Sequence, residues 1–276
     1  MRSKQDQVIR KLISKGRAAT SRFRRRFTKA GQYGQGHIGW LDYEDVVYRA
    51  LEYQYWEDKA SVIPFGNYYE FGLLNGASFA RCYRTMTALA KHLGYAGVKE
   101  LGVGMHGFDS FEGMPEPGEF DQRVGWGKGA MACGQDKFVG LMDGTGIPRD
   151  SYQLHAGFFE DSLTPELRKT LEASKPSLVM MDCDFYSSTK TVLEWLRPIL
   201  RDGTIFMFDD IWAYMAHPDF GELRAIREFN ERGQGLLVPH YFGGATGQVY
   251  VFTTGYRGEA YKQYLSARGA AATKNY

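Results

Sequence analysis

SLVMMDCDFYSSTKTVLEWLRPILRDGTIFMFDD, residues Ser177–Asp210, contains two apolar runs that each end in a pair of acids. Between them, Val192, Leu193, Leu196, Ile199 and Leu200 fall on one face of a helix, and Pro198 should kink or end it. The unit therefore reads strand–helix–strand. Both strands are apolar throughout rather than alternating, as expected of a parallel sheet covered on both faces.

Working outward, the same rhythm repeats. Upstream, NYYEFGLL (Asn67–Leu74), VGMHGFDS (Val103–Ser110) and YQLHAGFF (Tyr152–Phe159) read as strands. Ser78–Leu93 reads as a helix with Ser78 as its cap and Gly94 as its stop, and further helices are predicted over 137–143 and 165–173. An aromatic-rich helix is predicted at YEDVVYRALEYQYW (Tyr43–Trp56). Downstream, Phe220–Arg232 is helical in pattern, and GLLVPHYF and GQVYVFTT form a closing antiparallel pair. The predicted fold is α/β: a Rossmann-like, doubly wound, mostly parallel seven-stranded sheet with helices on both faces. One domain is expected over residues 41–276, preceded by an arm over 1–40, with a glycine-rich lid at about 113–134.

Of the 276 residues, 43% are hydrophobic and 15% aromatic, enough for a large core. No apolar run approaches the roughly 20 residues that span a bilayer, and no secretory signal is expected. Three cysteines without short pairings argue against a disulfide framework and for a cytoplasmic setting. The net charge of +2 conceals an asymmetry. Residues 1–30 carry eleven Lys/Arg and one acid; the remainder holds 23 of the 34 basic and 31 of the 32 acidic residues, a net of −8. The basic arm, with RFRRRF at its centre, is a candidate for contact with an anionic surface. Nothing points clearly to nucleic acid. A homo-oligomer is compatible with the chain.

In a doubly wound sheet, ligands bind beyond the carboxyl ends of the strands. Four of the predicted strands end in acids there: Glu70 before Gly72 and Gly76; Asp109 before Ser110; Asp182 with Asp184; and Asp209 with Asp210. Gly72 and Gly76 permit a tight turn and a close helix start, but no dinucleotide fingerprint is present. Asp109 suits a ribose diol. Strand alternation turns Asp182 and Asp184 the same way, and neighbouring fourth and fifth strands would bring Asp184 to Asp209 and Asp210. Carboxylates that close repel, and an all-oxygen set of ligands suits Mg²⁺. Asp182 is expected on the cofactor side. His217 is a candidate for entry into the cleft as a base. DCD is also a metal motif of nucleotide-sugar glycosyltransferases, which is the enzymatic alternative. A non-catalytic alternative makes the basic arm the working part, as a binder of anionic surfaces.

YYEFGLLNGASF, GFDSFEGMPEP, GFFEDSL, the Ser177–Asp210 unit and FGELRAIREF, in this order from Tyr69 to Phe229, resemble the macrocin-type O-methyltransferases. That family includes enzymes that methylate sugar hydroxyls of macrolide and aminocoumarin antibiotics. The resemblance implies S-adenosylmethionine as donor and Mg²⁺ as metal, and a small-molecule or glycan acceptor. It puts Glu70, Gly72 and Gly76 at the donor, Asp109 and Ser110 at its ribose, and Phe159 and Asp161 near its adenine. It implies Asp184, Asp209 and Asp210 as metal ligands, with Asp184 or His217 as the base. The lid and the arm depart from the family pattern.

Overall fold

The computed structural model describes residues 47, 66–243 and 247–254. The expected arm lies outside them, as does the helix predicted at Tyr43–Trp56 apart from Val47, which is helical and buried. Seven strands form one sheet: β1 (Asn67–Phe71), β2 (Met105–Asp109), β3 (Tyr152–Ala156), β4 (Pro176–Met181), β5 (Ile205–Phe208), β6 (Leu236–Gly243) and β7 (Gly247–Thr253). Their order across the sheet is β3-β2-β1-β4-β5-β7-β6. β1 to β5 run parallel, and β7 pairs antiparallel with both β5 and β6. The order reverses between β1 and β4, which puts the switch point where the two acidic strand ends meet β1.

Seven α-helices lie between residues 66 and 254. They are α1 (Ala77–His92), α2 (Val98–Leu101), α3 (Gln135–Gly144), α4 (Phe159–Ser162), α5 (Pro165–Thr170), α6 (Tyr186–Leu196) and α7 (Gly221–Glu231). Side-chain alternation splits the buried residues into two layers. Tyr68, Leu178, Met180 and Met207 pack with Phe79, Met86 and Leu89 of α1 and Phe138 of α3. Tyr69, Phe71, Val179 and Phe206 pack with Val192, Trp195 and Leu196 of α6 and Ile226 and Phe229 of α7. β1 and β4 are buried along their whole length. Hence apolar residues occupy both faces of each strand, and the polar ones among them, Asn67, Glu70 and Ser177, are buried as well.

Pro198 ends α6: the chain tightens into a 3₁₀ turn over Arg197–Ile199. Ser78 does not cap α1. Gly76, in a left-handed conformation at φ 72°, occupies the cap, and Ser78 sits inside the helix with its hydroxyl donating to Glu70. β3 stops at Ala156, short of the predicted Phe159; Gly157 at φ 128° turns the chain, and Phe159 starts α4. The short α2 was not anticipated.

Candidate active site

A cleft of about 700 Å³, its open mouth included, lies at the carboxyl ends of β1, β2 and β4. Gly72 and Leu74 form one wall, Asp109 and Ser110 a second, and Phe158, Phe159 and Glu160 a third. Asp182, Cys183 and Asp184 form the floor towards β4. Gly72 has φ 88°, and a Cβ there would collide with the carbonyl oxygen of Asp182. The bare backbone lets β1 and β4 separate no further than their ladder allows, and leaves the turn open to a ligand.

The expected donor-side acids are largely spent inside the protein. Glu70 is fully buried; one carboxylate oxygen accepts from the Tyr68 hydroxyl and the other from the Ser78 hydroxyl. Burial pushes its pKa up to about 8. It lies behind the cleft wall, not in it. Asp109 does line the cleft, yet its carboxylate already accepts three backbone N–H groups: Leu73 at 2.6 Å, Leu74 at 3.3 Å and Phe111 at 2.6 Å. It braces the glycine turn after β1. Ser110 donates to the carbonyl of Gly113 at 2.8 Å, which shapes the start of the lid. Gly76 sets the start of α1 and is not in the lining. Phe159 faces the cleft, packed edge-on against Phe71, whereas Asp161 is exposed and outside it.

The four acids after β4 and β5 are arranged differently. β4 and β5 are neighbours, with Met181 opposite Phe208. Both strands end before their acids, so Asp209 and Asp210 are free of strand alternation. Asp182, Asp209 and Asp210 each offer an oxygen, all within 4.8 Å of one another. This converging trio has Asp182 where Asp184 was expected. The reason is local: the strand stops at Met181, and Asp184 adopts the left-handed φ of 60°, so the two-residue alternation no longer relates it to Asp182. Asp184 instead lies beside Asp210, in hydrogen-bonding contact.

Every member of the cluster is harder to ionise than an ordinary carboxyl. Burial and then the charge of Asp209 push Asp182 well up. Burial, then Asp210, raises Asp184 to about 8; burial, then Asp210, raises Asp209 to about 6; burial raises Asp210. The guanidinium of Arg123, on the lid, pulls Asp184 and Asp210 back towards the charged form.

Four contributors escaped the sequence reading. The glycine-rich segment expected as a lid is anchored by Asp121, fully buried, whose carboxylate accepts from the Ser187 hydroxyl at 2.7 Å and from Gly118 N at 3.2 Å. Tyr214, in the loop after β5, donates to the Asp121 carbonyl at 3.0 Å and meets Trp126 edge-on. Arg123 stacks on Trp126 at 3.9 Å. Glu222, in the first turn of α7, is 1% exposed and accepts from Asp210 N at 3.0 Å. Its signal was available: Glu222 falls on the apolar stripe with Ala225, Ile226 and Phe229. His217, by contrast, is exposed and lies outside the cleft lining; its Nδ1 accepts from Asp219 N at 3.2 Å and its ring packs on Phe220. The loop turns it away through Met215 and Ala216, at φ 56° and 54°.

The sequence profile of the macrocin-O-methyltransferase (TylF) family matches residues 82–234, more than half of the chain. The chain belongs to that family. It is an S-adenosylmethionine-dependent O-methyltransferase. Two solved structures share the fold. One is CalS11, a calicheamicin methyltransferase, with a TM-score of 0.55 and 23% identity over 75% of this chain and 76% of that one. The other is the O-methyltransferase NovP, with a TM-score of 0.55 and 18% identity over 75% and 78%. A search of curated protein sequences found no significant match. Family membership displaces the glycosyl-transfer reading of Asp182-Cys183-Asp184. Among the described residues no helix is long and apolar enough to cross a membrane.

Proposed function

We propose that this macrocin-type enzyme is a Mg²⁺-dependent O-methyltransferase acting on a sugar hydroxyl of a small molecule or glycan, within the cytoplasm. The observation that carries the reading is the convergence of Asp182, Asp209 and Asp210, each offering an oxygen within 4.8 Å of the others. Three carboxylate oxygens of this kind fit a hard divalent cation, which relieves their mutual repulsion. When bound, such an ion lowers the pKa of a hydroxyl that touches it. S-adenosylmethionine supplies an activated methyl group from the cleft beside Gly72, Asp109 and Phe159.

The chain's own residues then divide the work. Gly72 and the braced turn Leu73–Leu74 hold the donor against β1. Asp182, Asp209 and Asp210 hold the cation. Asp184, on the lip between donor cleft and cation, takes the proton from the acceptor hydroxyl; of the two expected candidates, Asp184 lines the cleft and His217 does not. Trp126 and Tyr214 form an aromatic wall suited to the apolar face of a sugar ring. The buried Asp121 keeps that wall in place and limits the entry of water.

The test is methyl transfer from labelled S-adenosylmethionine to a panel of sugar and catechol acceptors, with and without a chelator. Transfer to a sugar hydroxyl that stops with the chelator and returns with Mg²⁺ is expected. Full transfer in the chelator's presence refutes the metal, and transfer to catechols alone refutes the acceptor class.

A further inference from the structure

The metal reading above gives meaning to a residue that is otherwise out of place. Glu222 occupies an apolar stripe position of α7, 1% exposed, where a leucine would be expected. Among the described residues it makes no ion pair within 4.0 Å. Nor does it cap its own helix: Phe220 is the cap residue and no side-chain cap bond is made there. Its Oε2 accepts from Asp210 N at 3.0 Å, and its Oε1 is buried without a partner.

That bond completes the support of one short turn. Asp209 N donates to the Met181 carbonyl at 3.0 Å, so the first acid is pinned to β4. Asp210 N would be the next free donor, and Glu222 takes it. The Asp210 carbonyl in turn accepts from Ala213 N at 2.9 Å. The position of α7 is itself set closely. Gly221 has φ 53°, and a Cβ there would collide with the Tyr214 ring, so the helix start is pressed against the loop that follows the acids.

We infer that Glu222 is a positioning residue of the acid site, fixing the Asp209–Asp210 turn so that the carboxylates of Asp182, Asp209 and Asp210 stand ready for a divalent cation. It acts from behind, as the outer partners of metal ligands do elsewhere. Its unpartnered Oε1 is the mark of a group kept for the site, since an apolar residue would fill the stripe without leaving a buried polar atom unsatisfied.

The experiment uses the full chain and Mn²⁺ as probe. Free Mn²⁺ is followed by electron paramagnetic resonance, and S-adenosylhomocysteine binding by calorimetry. Glu222→Leu fills the stripe and removes the acceptor. It is expected to bind S-adenosylhomocysteine within about twofold of the unmodified protein but Mn²⁺ roughly 10–100-fold more weakly. Glu222→Gln keeps an oxygen that accepts from Asp210 N, and is expected to stay within about threefold for both. Mn²⁺ binding by Glu222→Leu at the unmodified strength overturns the inference. So does an equal loss in Glu222→Gln, which would put the effect in charge and not in the hydrogen bond. Glu222→Met replaces the leucine variant if the latter fails to bind S-adenosylhomocysteine. If the unmodified protein binds S-adenosylhomocysteine but no Mn²⁺, the metal reading itself fails and the role of Glu222 with it.

Discussion

The strand ends on the two sides of the switch point carry the same residue types and use them in opposite ways. Within the last two residues of β1 and β2, Glu70 and Asp109 are acids whose oxygens are already engaged: two hydroxyls on the first, three backbone N–H groups on the second. After β4 and β5, Asp182, Asp184, Asp209 and Asp210 face chiefly one another. The first pair braces the wall of the cleft, Glu70 from behind it and Asp109 within it; the second group creates a demand for positive charge. An acid at a strand end is therefore not a site until its hydrogen-bond partners have been counted.

The sharpest way to break this contrast is to neutralise each side in turn. Asp184→Asn should lower kcat by roughly 10²–10⁴-fold, the range for loss of a general base, while S-adenosylhomocysteine binding in calorimetry stays unchanged. Asp182→Asn should lose turnover together with Mn²⁺ binding. Asp109→Ala should behave in the reverse sense. Leaving Leu73 and Leu74 N–H groups without their acceptor should cost about 1–3 kcal/mol in denaturant unfolding and weaken the donor about tenfold, with Mn²⁺ binding kept.

A smaller effect sharpens the contrast by pH. Glu70 at about 8, Asp184 at about 8 and Asp209 at about 6 all lie above ordinary carboxyl values. A raised folded-state pKa contributes stability that is complete below the unfolded value and is lost as pH rises through the folded one. The metal-free protein should accordingly melt at progressively lower temperature between about pH 6 and pH 8. Mg²⁺ should restore the part owed to Asp184 and Asp209, most strongly at the alkaline end. Glu70→Gln should remove the other part and leave the response to Mg²⁺ intact. A melting temperature flat across this window, or a response to Mg²⁺ equal at both ends, would remove the distinction. Least of all, His217→Ala should leave kcat/KM within about twofold and stability within about 0.5 kcal/mol, as for an exposed residue away from the site.

The sequence made the frame legible because its signals were redundant. Apolar strands without alternation meant a sheet covered on both faces, and Pro198 marked the end of α6. The motif order between Tyr69 and Phe229 led to the family now shown over residues 82–234. The site was legible in its residue types but not in its partners. The shift from Asp184 to Asp182 in the converging trio follows from three residues of strand that never form: alternation was carried past Met181, and the left-handed turn at Asp184 has no glycine to announce it. Ser78 looked like a cap because serine commonly is one; its hydroxyl went to Glu70 across the buried layer, a contact of eight residues' separation that no local pattern encodes. Glu222 stood on an apolar stripe in plain view, and its meaning needed the loop after β5 folded against it.

The anchoring of the lid has a consequence for how such an enzyme changes over evolutionary time. Asp121 fixes one end of the segment to α6, and Tyr214 clamps the same point from the loop after β5. Beyond that post, Arg123 and Trp126 bridge across a two-residue tip, Val124 and Gly125, whose valine is wholly exposed. Substitutions at the tip touch neither the core nor the acids, so if the aromatic wall proposed above receives the acceptor, selection can retune which molecules are admitted while the chemistry behind them is inherited unchanged. Diversity of acceptors in a lineage with this arrangement should accumulate in those few positions, with Asp121 and Tyr214 as the still points around which it turns.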